Sequence, residues 1–382
     1  MSVVRWERFP PPRVMPPAPG ETGAHGVPTS DEVHYMLAHG AAAPSGGNFQ
    51  PWKFRYANER LSCFMDPERT DYFTNYHQNE THIGLGAAVM NIELAAQAIG
   101  YRPELERFPG GGTAGSICDL AFRRGDSAAD AGVLASAIPY RITSRPRSPR
   151  VPLPPEHRGA LTEIASSHGA QLLCIEDGAA LEEVGAIIGK LNQIGYLNQE
   201  SHRGIMKMLR WTDEEAAATR DGIHINTFEL SPLEVTGMRF LTSYHVLKYI
   251  RNIGAARALE TMPISWARSA SALCLLVLNE KASARTFFDA GRILEHLWLA
   301  ATLRGHAFHV LGVNSYFDRL EHGGGEGFSL EERKTLQEVR TRYVQLFSIP
   351  SGACEAVLFR IVPPNPLVAR TLRRDVTGLL SG

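Results

Sequence analysis

The chain predicts an α+β fold made from two copies of one unit, and two observations predict it. Short apolar runs of strand length alternate with amphipathic helices in both halves. In addition, residues 86–100 align without a gap to residues 291–305 at a constant offset of 205. Both terminal glycines coincide, as do Leu94-Ala95-Ala96 with Leu299-Ala300-Ala301, Val89 with Leu294 and Ile92 with Leu297. A weaker match pairs Val27-Pro28 with Val151-Pro152, Glu32 with Glu156 and Leu37 with Leu161. Two helices rich in Leu and Ala can look alike by chance. Two matches in the same order favour duplication. Their different offsets require an insertion in the second copy, for which 178–258 is the candidate.

The elements follow from local signals. Residues 1–28 hold seven prolines (10, 11, 12, 16, 17, 19 and 28) and read as an extended arm, loosely ordered or laid on another surface. The first copy spans 29–137. Thr29 or Ser30 caps a helix with Asp31 and Glu32 in its first turn and Val33, Met36, Leu37 and Ala41 as its apolar stripe. Pro44 stops it. Strands are expected over 49–56 and 61–66, then a helix over 84–100 with a glycine stop, a strand over 118–122 and a small helix over 127–137. The second copy spans 138–382. An Arg- and Pro-rich segment precedes a helix from Pro155 to about His168 and a strand over 172–176. Residues 178–258 read as mainly helical. A buried strand over 270–278, a helix over 287–305 and a strand over 307–313 follow. A glycine-rich loop, a charged helix over 329–347 and a strand over 356–361 lead to a basic tail.

Composition narrows the function classes. The 382 residues carry 39 Lys+Arg against 40 Asp+Glu, a net charge of −1, which argues against a general nucleic-acid binder. No apolar run approaches the roughly 20 residues that span a bilayer. No basic n-region precedes an apolar stretch, so no secretory signal is expected. Cysteines at 63, 118, 174, 274 and 354 form no CxxC pair and read as scattered, mostly buried thiols of a reduced, cytoplasmic setting. His77/His82 and His306/His309 lack companions at ligand spacing, so no metal is expected. The Gly110–Gly115 run follows Pro109 instead of a strand and reads as a turn.

The sharpest motif is Ala43-Pro44-Ser45-Gly46-Gly47-Asn48-Phe49-Gln50-Pro51-Trp52-Lys53-Phe54. Its glycines expose backbone, and Asn48 and Gln50 offer amides that could follow the polar edge of a flat heterocycle. A plain helix-to-strand connection would explain Gly, Pro and Trp but not the two amides so well.

This pattern, with the Gly-Ala-Ala…Leu-Ala-Ala…Gly helix, resembles the nitroreductase family of FMN-dependent oxidoreductases. The resemblance covers about 29–105 and continues more thinly through 140–170 and 270–376. It implies a three-layer sandwich, duplicated so that one chain mimics the family's homodimer. It also implies a phosphate-holding Arg-x-Ser-x-Arg segment before the first helix. The first half has Gly26-Val27-Pro28-Thr29-Ser30 there, whereas the second has Arg141-Ile142-Thr143-Ser144-Arg145. Two guanidinium groups and a hydroxyl suit a dianion, although a solvated basic linker is the plain alternative.

The resemblance further assigns Arg370 and Arg373 to the phosphate, backbone at Leu311 and Gly312 to the flavin edge, and Pro44, Ser45, Gly46, Asn48 and Gln50 to the ring. Arg141, Thr143 and Arg145 complete the expected set. One complete flavin site would then be shared between the copies, opposite one degenerate site. No catalytic side chain is assigned, since hydride transfer is flavin chemistry.

The implied function is an FMN-dependent oxidoreductase acting on a small organic substrate, with NADPH or NADH as a possible donor. Two other readings stand beside it: a non-catalytic flavin-sequestering stress protein with the insertion as a lid, and a tailoring dehydrogenase in a biosynthetic pathway. Neither a nucleic acid nor a membrane is an expected partner. The chain is expected as a monomeric pseudo-dimer or a homodimer.

Overall fold

A computed structural model describes residues 6–20, 27–113, 115–125, 130–145, 147 and 149–380. The N-terminal half runs α1 (Ser30–Ala41), β1 (Trp52–Ala57), β2 (Arg60–Met65), α2 (Asn79–Ala98), β3 (Tyr101–Arg107), β4 (Cys118–Arg124) and α3 (Ala131–Ala137). A capping box starts α1. The Thr29 hydroxyl accepts from the Glu32 N–H at 3.2 Å, and the Glu32 carboxylate accepts from the Thr29 N–H at 2.8 Å.

The C-terminal half opens with α4 (Pro155–Ser167) and β5 (Ala170–Ile175). Six helices and two short strands follow: α5 (Gly178–Leu197), α6 (Gln199–Met208), β6 (Leu209–Arg210), α7 (Asp213–Thr219), β7 (Ile223–His224), α8 (Pro232–Phe240), α9 (Tyr244–Asn252) and α10 (Thr261–Ser269). The half then completes its sheet and helices with β8 (Ala272–Leu278), α11 (Ala284–Leu303), β9 (Ala307–Leu311), α12 (Asn314–Glu321), α13 (Leu330–Phe347) and β10 (Cys354–Val362).

The duplication is visible in the connectivity. One four-stranded sheet has the order β1-β2-β4-β3 and the other β5-β8-β10-β9. Every pairing in both is antiparallel. In each, the long helix lies between the second and third strands. The turn Asn58–Glu59 of the first half is replaced in the second by the α5–α10 excursion. The insertion therefore runs to Ser269, farther than the 178–258 read from the sequence.

The two long helices pack against each other at a pseudo-twofold contact. A Cβ built on Gly86 would lie 1.9 Å from the Phe288 carbonyl oxygen, and one built on Gly291 would lie 2.0 Å from the Ile83 carbonyl oxygen. Residues 83 and 288 are themselves separated by 205, so the contact is self-complementary in the manner of a symmetric dimer. The glycines let the helix backbones touch. Apolar clusters on either side join this pair to the two sheets: Trp52, Phe54, Leu61 and Leu120 on one side, and Leu276, Phe308 and Phe359 on the other.

Several elements differ from expectation. The first strand begins at Trp52, not 49, because residues 46–50 turn with positive φ at Gly47, Asn48 and Gln50. β3 was not expected: Arg-Pro-Glu-Leu-Glu-Arg is mostly polar, and it forms an edge strand whose alternate residues are exposed. Both long helices start earlier than read, at Asn79 and Ala284. Of the small helix expected over 127–137, Ala131–Ala137 is helical, and 127–129 lie outside the described residues.

Residues 6–20 of the arm lie along the C-terminal half. Trp6 stacks on Tyr140 at 3.9 Å, Phe9 is buried, and Arg370 donates to the Pro10 and Pro11 carbonyls. The cysteines are less scattered than their spacing suggests. Cys63 faces Cys118 across β2 and β4, and Cys174 faces Cys274 across β5 and β8, all as free thiols. Among the described residues no helix is long and apolar enough to cross a membrane.

Candidate functional site

The 44–50 loop sits where α1 stops and β1 begins. Asn48 and Gln50 hold left-handed φ values of 56° and 52°, conformations that cost free energy and recur at binding sites. Side-chain bonds hold the loop in place. The Ser45 Oγ accepts from the Gln50 N–H at 2.9 Å. Asn48 Nδ2 donates to the Gly222 carbonyl at 2.9 Å and the Leu372 carbonyl at 3.1 Å, while its Oδ1 accepts from Arg373 Nη1 at 2.7 Å. Gln50 Nε2 donates to the Arg220 carbonyl at 2.9 Å, and its Oε1 accepts from the Arg374 N–H at 2.8 Å. Both amides thus tie together the loop, the insertion and the C-terminal segment.

A cavity of ≈ 340 Å³ lies beside this loop. It collects residues far apart in sequence. Pro44, Ser45, Gly46, Gly47 and Asn48 line it from the N-terminal half. Thr143, Arg145, Val310, Leu311, Gly312, Thr371 and Arg373 line it from the C-terminal half. Ile83, Leu294 and Trp298 on the paired helices add apolar wall, and Ile205, Met208, Ile223 and Phe228 reach it from the insertion. Nine of the twelve residues expected at a cofactor site therefore border one space: Pro44, Ser45, Gly46, Asn48, Thr143, Arg145, Leu311, Gly312 and Arg373.

Three do not. Gln50 is fully buried in the clasp described above. Arg141 pairs with Glu295 at 3.2 Å, donates to the Ala42 carbonyl at 2.7 Å and lies over the Trp298 ring. Arg370 places its guanidinium on the carbonyls of Pro10, Pro11, Tyr140 and Arg141. None of these three lines the cavity; each is engaged with other partners. Spacing marks where a guanidinium starts, whereas competing backbone carbonyls decide where it ends.

The cavity is electropositive on one side. Arg145 donates to the Thr227 hydroxyl at 3.2 Å and lies over Phe228, and burial pushes its pKa down to about 10. Arg373 donates to the Ala43 carbonyl at 3.0 Å, and its buried Nε has no partner. Burial, followed by Arg13 and Arg141, holds the Arg373 pKa well below the usual guanidinium value. Glu295 is the one carboxylate acting on it. Cations crowded in this way favour an anionic guest. His309, also on the cavity wall, is kept neutral by burial and by Arg360 and Arg145; its Nδ1 accepts from Arg360 Nε at 3.0 Å.

Comparison with known proteins followed the same lines. No family model matches the chain. An uncharacterized protein of Mycobacterium tuberculosis is 24% identical over 366 residues, which is 95% of this chain and 49% of that protein. A putative NAD(P)H nitroreductase, acg, of the same organism is 29% identical over 118 residues, 31% of this chain and 36% of that protein. The chain is thus similar, over part of its length, to proteins named as nitroreductases. It spans about half the length, or less, of these curated relatives. Among solved structures, the FMN-dependent nitroreductase NfnB from Mycobacterium smegmatis, in complex with NADPH, aligns with a TM-score of 0.36 at 12% identity over 64% of this chain and 96% of its own.

The equivalent region of the other half differs. At the constant offset, Gly84 corresponds to Asp289 and Gly312 to Arg107. These replacements form an ion pair with each other, and Arg292 makes a bidentate pair with Glu93 nearby. Side chains therefore occupy the second position.

The sequence reading missed Glu80, Asp318, Trp298 and, in the insertion, Ile205 and Ile223; Met208 and Phe228 were among the residues it allowed for a lid. The first two are polar residues on helices and carry no local signature. Among the described residues no group of three metal-ligating side chains occurs; His306 instead contacts His157 at 2.8 Å.

Proposed function

We propose that the chain is an FMN-dependent oxidoreductase of the nitroreductase type with one flavin site, shared between its halves. The observation that carries this reading is the joining of the Pro44–Asn48 loop with Thr143, Arg145 and Arg373 around a single cavity. The residues fit such a guest. Arg145, Arg373 and the Thr143 hydroxyl would hold a phosphate, and the orphaned Nε of Arg373 is a donor already desolvated for one. Ile83, Leu294 and Trp298 would flank a flat apolar ring system, and backbone at Ser45, Gly46, Leu311 and Gly312 would meet its polar edge. Bound FMN supplies hydride transfer through its N5. The protein contributes orientation, exclusion of water by the insertion residues, and a positive field that stabilises negative charge in the site.

NADPH or NADH is the proposed donor and a small organic molecule the proposed substrate. The pseudo-twofold glycine contact supports a monomer that does the work of a dimer. Purified protein titrated with FMN should acquire a perturbed flavin spectrum, and anaerobic NADPH should bleach it. A protein that leaves the FMN spectrum unchanged would overturn the proposal.

One observation favours a second reading. Ile205, Met208, Ile223 and Phe228 close over the cavity from the insertion, and a Cβ on Gly47 would lie only 2.8 Å from Met208. A cover of this kind suits flavin sequestration. Steady-state NAD(P)H oxidation with a quinone or nitroaromatic separates the two: turnover supports the reductase, and bound but unreactive FMN supports sequestration. Bleaching by an organic substrate without NAD(P)H would instead favour a tailoring dehydrogenase.

A further inference from the structure

One side of the cavity carries a chemistry opposite to the arginine side. Glu80, in the first turn of α2, lies across the gap between the 44–50 loop and the end of β9. A Cβ built on Gly46 would lie 2.4 Å from Glu80 Oε2, and one built on Gly312 would lie 3.4 Å from Glu80 Oε1. Tyr72 and Thr74 hydrogen-bond the carboxyl. Asp318 of α12 lines the same cavity and accepts from Asn79 Nδ2 at 3.1 Å. Neither arginine nor lysine is among the charges acting on either carboxyl; His322 acts favourably on Asp318, and Glu355 and Glu321 act against its charge.

We propose that Glu80, assisted by Asp318, is the specificity-determining group of this site and selects small organic substrates that carry a cationic or N–H-donating group, such as an amine or amidine. This rests on the cavity being the flavin site. A carboxylate removed from water without a cation is strongly destabilising unless a ligand completes its bonding. Two such groups are retained here on the wall of a cavity whose other side is already supplied with arginines. Burial raises Glu80 to about 7 and Asp318 to about 6, so near neutrality each carboxyl is partly protonated, and a guest's positive charge or N–H donor would favour its ionised form. An anionic guest would disfavour ionisation of both carboxyls and gain no charge pairing on this side.

The probes are benzamidine, benzamide and benzoate, which share a ring and differ in charge. Each is titrated into the full chain at saturating FMN and followed by flavin absorbance and by calorimetry. Benzamidine should bind roughly tenfold or more tightly than benzoate, with benzamide between, as expected for a charge-assisted contact. Glu80→Gln should remove most of that preference, and Asp318→Asn should reduce it. Equal binding of benzamidine and benzoate, no benzamidine binding at all, or a preference that survives both substitutions overturns the proposal. Failure of the flavin reading is seen separately, in the first step, as absence of FMN binding.

Discussion

The two halves share a strand order and a central helix, yet they use them differently. In the C-terminal half β8 is buried at every position, because α5, α10 and α13 cover the outer face of its sheet. In the N-terminal half β1 and β3 both carry exposed residues, β3 at every second position after Tyr101, as expected for a sheet with one wet face. At the sites the contrast reverses. Gly84 and Gly312 leave space beside the Ser45 loop, whereas their counterparts Asp289 and Arg107 fill it with an ion pair. The insertion packs on one half's sheet and lines the cavity, and the other half contributes the 44–50 loop. A duplicated unit can therefore divide scaffold from site once its copies no longer need to be identical.

The comparison can be broken most severely at the shared axis. Gly291→Val would drive side-chain atoms into the Ile83 carbonyl, already 2.0 Å from a bare Cβ. It should destabilise by about 3 kcal/mol or more, read as a large fall in Tm or loss of soluble protein. Next is the site itself. Gly84→Asp copies the occupied position into the open one, beside Ser45 Cβ at 3.2 Å. FMN affinity should fall at least ~100-fold while the fold persists. Unchanged FMN affinity would show that the site lies elsewhere.

Arg145→Ala probes the cationic side. FMN affinity should drop roughly 10- to 100-fold and riboflavin affinity far less, because only FMN carries the phosphate. Equal losses for the two ligands would remove Arg145 from a phosphate role.

A smaller effect concerns pH. His306, beside His157, and His296, beside His168, have pKa values lowered to about 4, in both cases chiefly by burial. The unfolded chain takes up their protons near pH 6.5 while the folded chain resists. Stability from these groups is full above pH 6.5 and is lost as pH falls toward 4. A loss of about 1–2 kcal/mol is expected for the buried His306, and His306→Gln should flatten that part of the denaturation profile. The smallest effect is at the exposed Arg60–Glu106 pair, where Arg60→Ala should change stability by less than ~0.5 kcal/mol.

Much of this was legible beforehand where the signal is local. The capped start of α1 and the gap-free helix repeat both leave marks within a few residues. The polar edge strand β3 left none, since its position in the sheet, not its composition, makes it a strand. At the site, Asn48 and Arg373 were singled out separately, but nothing in either segment says that they bond to each other. The partners of Gln50 and Arg370 were hidden for the same reason: a donor goes to whichever carbonyl the fold brings near.

Periodicity and glycine spacing were enough to establish a duplicated α+β chain, because close helix packing imposes small residues at fixed intervals. The family resemblance, in turn, implied an arginine motif in one copy and a loop motif in the other. Only the tertiary arrangement placed those motifs around one cavity, filled its twin with Asp289 and Arg107, and laid Glu80 across the opening. Burial and charge at a point in space depend on every segment that passes there, and no single stretch of sequence contains that sum.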